Sequence, residues 1–133
     1  MIALDTSVIL AISLAEPEAE TFKSIVVREP VIIGWPTLLE ARMVLTGRGF
    51  PNAAAIIAQF VELSNVSAVA FGERHYHAAE QAFERFGKGR HRAALNMGEC
   101  LSYAVASIAK APLLFKGLDF GQTDLKIHPA SST

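Results

Sequence analysis

Residues 1–10 read MIALDTSVIL. Ile2, Ala3 and Leu4 run straight into a carboxylate, Asp5, before Val8, Ile9 and Leu10 resume the apolar pattern. A buried carboxylate without a partner is costly. Asp5 must therefore cap the next helix or meet something positive. Apolar runs of strand length recur at Val31–Ile33, Val66–Phe71 and Leu113–Phe115. None alternates strictly between apolar and polar, as expected for strands covered on both faces. Asp124–Ile127 reads as a shorter fifth strand. Helical patterns fill the gaps at Ser7–Leu14, Glu16–Val27, Thr37–Thr46, Asn52–Leu63, Glu73–Phe86 and Met97–Ala109. Strands alternating with helices predict an α/β domain, with a mostly parallel sheet of four to five strands flanked by helices on both faces. Ligand sites in such sheets form at the carboxyl ends of the strands. Asp5 falls at one of these ends.

The chain has 133 residues, 51% of them hydrophobic, enough for one domain with a core of its own. The reading is a single domain over residues 1–133, with a polar tail from about 129 to 133 that frays. A formal net charge of −1 neither demands nor excludes a nucleic-acid partner, because a local basic patch can hold phosphates. The single cysteine, Cys100, excludes an internal disulfide and suits a reducing cytoplasm. No stretch approaches the ~20 apolar residues of a membrane span. The first apolar run contains Asp5 and has no basic segment before it, so no signal peptide is expected.

Only three aspartates occur, Asp5, Asp119 and Asp124, and each stands at the edge of an expected strand. Two glutamates stand apart from the rest. Glu40 lies in WPTLLEARMVL, a helix apolar nearly all round, and Glu99 lies in ALNMGECLSYAVA. Each has a structural alternative. Asp5 could cap a helix with Thr6 and Ser7. Thr37-x-x-Glu40 and Asn96-x-x-Glu99 both have the spacing of a capping box. Asp119 could be a turn residue after Gly117. Taken together, Asp5, Glu40, Glu99 and Asp119 bring four carboxylates towards one sheet edge. One divalent cation accounts for all of them. Mg²⁺ and Mn²⁺ want hard oxygen ligands, and clustered carboxylates raise each other's pKa unless a cation neutralises them.

The segments MIALDTSVIL, PTLLEARMVL, FGKGRHRAALNMGECLSYAVA and PLLFKGLDFGQTDL resemble PIN-domain ribonucleases, most closely the VapC toxins of bacterial toxin–antitoxin pairs. Order, spacing and flanking residues match over essentially the whole chain. The resemblance implies a metal-dependent endoribonuclease whose acidic positions fall on Asp5, Glu40, Glu99 and Asp119. Asp5, Glu99 and Asp119 would hold Mg²⁺ (or Mn²⁺), and Glu40 would bind or orient water. Such toxins cut structured RNAs such as transfer or ribosomal RNA. The resemblance also implies a homodimer and a cognate antitoxin that blocks the site.

Two positions depart from the family pattern. Glu99 stands where an aspartate is usual, so its carboxylate reaches one methylene further. Leu118 occupies a slot that is often polar in relatives, and the following Asp119 is the better match. Thr6 and Ser7 follow Asp5 closely enough to touch metal, water or phosphate, and Asn96 is placed to cap a helix or orient Glu99. GKGRHR offers Lys88, Arg90, His91 and Arg92 for RNA phosphates, or forms a solvated loop at a helix end. Lys116 is nearer the acidic positions. Asp124 reads as mainly structural, and Trp35 and the phenylalanines read as core.

No Ser-His-Asp set is visible, so the nucleophile should be water. A haloacid-dehalogenase-type phosphotransferase would need a second aspartate two residues after Asp5, where Ser7 stands. A catalytically weakened PIN fold that mainly binds RNA or antitoxin is the alternative that Glu99 keeps open. A structural subunit whose four carboxylates serve only as caps is a third.

Overall fold

A computed structural model describes residues 1–132. Four short parallel strands form one sheet: β1 (Ile2–Leu4), β2 (Val31–Gly34), β3 (Val66–Val69) and β4 (Leu113–Leu114), in the order β3-β2-β1-β4. Six helices connect or flank them: α1 (Thr6–Ser13), α2 (Ala19–Arg28), α3 (Trp35–Gly47), α4 (Ala53–Val61), α5 (Glu73–Phe86) and α6 (Met97–Ala109). A 3₁₀ turn, Asp119–Gln122, follows β4.

The central strand β1 shows why the sheet needs cover on both sides. Successive strand side chains point to opposite faces. Ile2 and Leu4 join a core with Val8, Phe22, Leu38 and Leu45, while Ala3 joins a second core with Phe86, Tyr103, Leu113 and Phe120. All three β1 residues are buried, so the strand reads as a continuous apolar run. A buried side chain such as Phe22 contributes about 1.5–3 kcal/mol relative to leaving it in water. Both cores end at the carboxyl edge of the sheet, where Asp5 begins.

Several expectations are corrected. Among the described residues Asp124–Ile127 forms no strand and pairs with the sheet through one bridge, Ile127 to Leu113. Asp124 turns outward to meet side chains of α5 and α6 instead. Within the expected polar tail, Ser131 and Ser132 make hydrogen bonds, and Thr133 lies outside the described residues. Ser131 Oγ donates to the Leu113 carbonyl, and Ser132 exchanges backbone hydrogen bonds with Phe115 and Gly117. Together with the Leu113–Ile127 bridge, these bonds satisfy the outer edge of β4. Trp35 is 53% exposed and is not a core residue. It shares one face of α3 with Leu39 and Met43, both also exposed, while Leu38, Ala41 and Leu45 cover the core. The nearly all-apolar sequence of α3 therefore serves two surfaces, one of them open.

Among the described residues, no helix is long and apolar enough to cross a membrane.

Candidate metal centre

Asp5 leaves β1 in an extended conformation and caps α1, accepting a hydrogen bond from the Ser7 backbone N–H at 3.1 Å. The cap explains the abrupt end of the apolar run, because α1 must start with unsatisfied N–H groups. It does not exhaust the carboxylate. Ser7 Oγ donates to Asp5 Oδ2 at 2.6 Å, and Ser102 Oγ donates to Oδ1 at 2.7 Å. Asp5 is 6% exposed, and no cationic side chain pairs with it among the described residues.

Glu40 comes from the second turn of α3. The capping-box alternative fails for it, since α3 starts at Trp35 and Thr37 is buried inside the helix. Its Oε1 instead accepts a short hydrogen bond from Thr6 Oγ1. Its Oε2 lies against the first turn of α6, where a Cβ on Gly98 would collide with it. Gly98 thus leaves the space that Glu40 occupies.

Glu99 does form the capping box. Asn96 Oδ1 accepts from the Glu99 N–H at 2.9 Å, and Glu99 Oε1 accepts from the Asn96 N–H at 3.0 Å. The structural and the chemical alternatives are therefore compatible at both Asp5 and Glu99. Asp119 opens the 3₁₀ turn after β4. Gly117, with φ at +137°, allows the chain to turn there.

The electrostatics mark this edge as deficient in positive charge. Burial pushes the Glu99 carboxyl up to about 7 against the Asn96 N–H, which lowers it, and the nearby Asp119 and Asp5 raise it further. Asp5, Thr6, Ser7, Glu40, Asn96, Glu99 and Lys116 line one open cleft of about 190 Å³. Among the described residues, no three acidic, histidine or cysteine side chains are gathered tightly enough to enclose an ion as they stand. The donor set still fits a hard divalent cation in kind. Its donor atoms are oxygens alone, and the mutual repulsion of the carboxylates is what a cation would remove.

The basic residues divide. Lys116 lines the cleft, with its Nζ 2.7 Å from Glu16 and 3.2 Å from Glu18 and its backbone N–H donating to Ser7 Oγ. Lys88, Arg90 and Arg92 lie in the loop after α5 and do not line the cleft. That loop is closed by hydrogen bonds between Lys88 N and the Leu95 carbonyl and between Leu95 N and the Phe86 carbonyl. Arg90 pairs with Glu84 at 3.1 Å and sits over the Phe83 ring. Asp124 takes no part in the acidic edge. It accepts from Tyr103 Oη at 2.6 Å and pairs with Arg85 at 3.2 Å. Two site residues escaped the sequence reading, Ser102 and Gly98. Each sits within one turn of Glu99 on α6, and that helical spacing was the available signal.

Comparison with known proteins bears on the family and the fold. The PIN domain family matches residues 2–126. Ribonuclease VapC36 of Mycobacterium tuberculosis is 40% identical over 128 residues, covering 94% of this chain and 91% of that protein. Ribonuclease VapC of Mycolicibacterium smegmatis is 38% identical over 123 residues, covering 92% and 95%. Among solved structures, VapC20 of Mycobacterium tuberculosis, a sarcin–ricin-loop-cleaving toxin, superposes with a TM-score of 0.76 over 94% of this chain and 96% of that one, at 18% identity. A family match across nearly the whole chain, with relatives at this identity, shows that the protein belongs to the PIN-domain family, among its VapC ribonucleases.

Proposed function

We propose that this protein is the toxin of a toxin–antitoxin pair, an endoribonuclease that hydrolyses a phosphodiester bond of a structured RNA with a divalent metal ion, Mg²⁺ or Mn²⁺. The observation that carries this reading is the acidic cleft at the carboxyl edge of the sheet, where Lys116 is taken up by Glu16 and Glu18 and where burial, then Asp119 and Asp5, raises Glu99. Asp5, Glu99 and Asp119 would hold the ion. Once bound, the ion would supply charge stabilisation at the scissile phosphate and make water a better nucleophile.

The chain's own residues do the rest. Thr6 holds one oxygen of Glu40. The other oxygen, beside Gly98, would orient the attacking water and accept its proton. Ser7 and Asn96 fix Asp5 and Glu99. Lys116 can reach a phosphate from within the cleft, drawing away from Glu16 and Glu18. Lys88, Arg90 and Arg92 would meet the RNA backbone further from the cut.

The reading includes protein partners, a second copy of the chain and a cognate antitoxin. Its support is the open apolar face of α3. Leu39 and Met43 line one groove with Met97 and Leu101, and Glu40 belongs to that groove and to the acidic cleft. Contiguous exposed apolar surface marks interaction sites. A partner segment seated there would lie beside a catalytic carboxylate. A toxin–antitoxin complex from Klebsiella pneumoniae has the same fold, with a TM-score of 0.68 at 12% identity. The reduced, buried Cys100 is compatible with action in the cytoplasm.

The test is cleavage of transfer RNAs and total RNA by purified, antitoxin-free protein with Mg²⁺, Mn²⁺ or EDTA, beside Asp5→Asn. The expected result is discrete cuts that need metal and vanish in the variant. Folded protein that cuts nothing with either metal would favour the binding-module alternative. Glu99→Asp would then show whether the longer side chain is the reason.

A further inference from the structure

Asp5 accepts three hydrogen bonds, and their distribution is uneven. The Ser7 N–H and Ser7 Oγ both address Oδ2, whereas among the described residues Oδ1 receives Ser102 Oγ alone. An ionised carboxylate has about two lone-pair positions on each oxygen. Oδ2 is therefore filled, and Oδ1 keeps one position free. Ser102 is 1% exposed and sits on α6 three residues after Glu99, so it lies on the same side of the helix. Its single hydroxyl proton goes to an atom 97 residues away, on a different element. The bond thus ties the β1 carboxylate to the helix that carries Glu99.

We propose that Ser102 is a positioning residue for the metal centre, holding Asp5 so that it ligates through the free position on Oδ1 and fixing its spacing to Glu99. The proposal rests on the metal-nuclease reading above. A hydroxyl that donates to a carboxylate forms a charge-assisted bond and restricts side-chain rotation. Partners that orient a metal ligand in this way typically change metal affinity or activity by about 10–100-fold when removed. Ser102 needs no contact with RNA for this role. Its loss should weaken metal binding in the absence of any substrate.

The test is Mn²⁺ binding by the full chain without RNA, followed by RNA cleavage across a Mn²⁺ titration. Wild type, Ser102→Ala, Asp5→Asn and Asp5→Asn/Ser102→Ala are compared, with folding checked by near-ultraviolet circular dichroism. The expected result for Ser102→Ala is a Kd for Mn²⁺ raised about tenfold or more, with cleavage largely recovered at saturating Mn²⁺. In the Asp5→Asn background the serine substitution should add nothing further. Should Ser102→Ala fail to fold, Ser102→Cys keeps the volume but donates weakly, and the same direction of loss is expected. A Kd for folded Ser102→Ala within about twofold of wild type, with binding lost in Asp5→Asn, would overturn the role of Ser102 alone. Wild-type Mn²⁺ binding by Asp5→Asn would overturn the metal-site reading and this proposal with it.

Discussion

Neighbouring residues of α6 hold two aspartates in different ways. Ser102 donates to Asp5, and Tyr103 donates to Asp124, at nearly equal distances of 2.7 and 2.6 Å. At Asp124 an arginine completes the arrangement. Partial burial alone would raise its pKa, but the Tyr103 hydroxyl and the Arg85 guanidinium outweigh it and hold the carboxyl below its usual range. At Asp5 no cation follows. Further acid follows instead, and burial first, then Asp119 and Asp5, pushes the neighbouring Glu99 up to about 7. A hydroxyl donor is thus common to the buried Asp5 and the exposed Asp124 and distinguishes neither. What separates Asp124 from the proposed metal ligand Asp5 is that the protein supplies positive charge beside Asp124.

The sharpest way to break this comparison is to neutralise each aspartate in turn. Asp5→Asn should lower RNA cleavage by at least about a hundredfold, since a ligand should matter no less than the groups that orient it. Asp124→Asn should leave cleavage close to wild type and lower thermal stability. Comparable cleavage by the two variants would remove the distinction. Next in size is Gly98→Ala. The added methyl would meet Glu40 Oε2, the end of a side chain that can swing away. The fold should survive with little change in Tm, while cleavage falls about tenfold because Glu40 is displaced. Tyr103→Phe acts on the other aspartate. It should cost about 1–2 kcal/mol in denaturant unfolding and leave cleavage unchanged.

The smallest expected effect is a pH dependence. Glu99 is raised in the folded protein by burial first and then by Asp119 and Asp5. Its protonated form therefore favours the metal-free fold. That contribution is fully present below the unfolded value of 4.5 and is lost as pH rises through about 7. Thermal unfolding in EDTA should show this decline, Glu99→Gln should flatten it, and saturating Mn²⁺ should counter it. A profile unchanged by Glu99→Gln would show that the acidic edge imposes no such burden.

The sequence made the acidic edge legible because its parts are local. Asp5 ends an apolar run, and Asn96-x-x-Glu99 has a recognisable spacing. The strand-helix alternation likewise follows from side-chain periodicity within short windows. What was missed depends on contacts between distant segments. Ser102 meets Asp5 from 97 residues away, and Lys116 finds Glu16 from 100. Trp35 looked like core because an apolar helix face gives no sign of whether it turns to the sheet or to a partner. Asp124–Ile127 had the composition of a strand, but Asp124 is drawn to Arg85 and Tyr103 and leaves one bridge behind.

The most direct measurement is anomalous diffraction from a crystal of this protein soaked in Mn²⁺. The expected result is a manganese peak bounded by the carboxylates of Asp5, Glu99 and Asp119, with no peak at Asp124. Manganese absent from the acidic cleft of a well-ordered crystal, or present at Asp124 in its place, would contradict the assignment of the sheet edge as a metal centre.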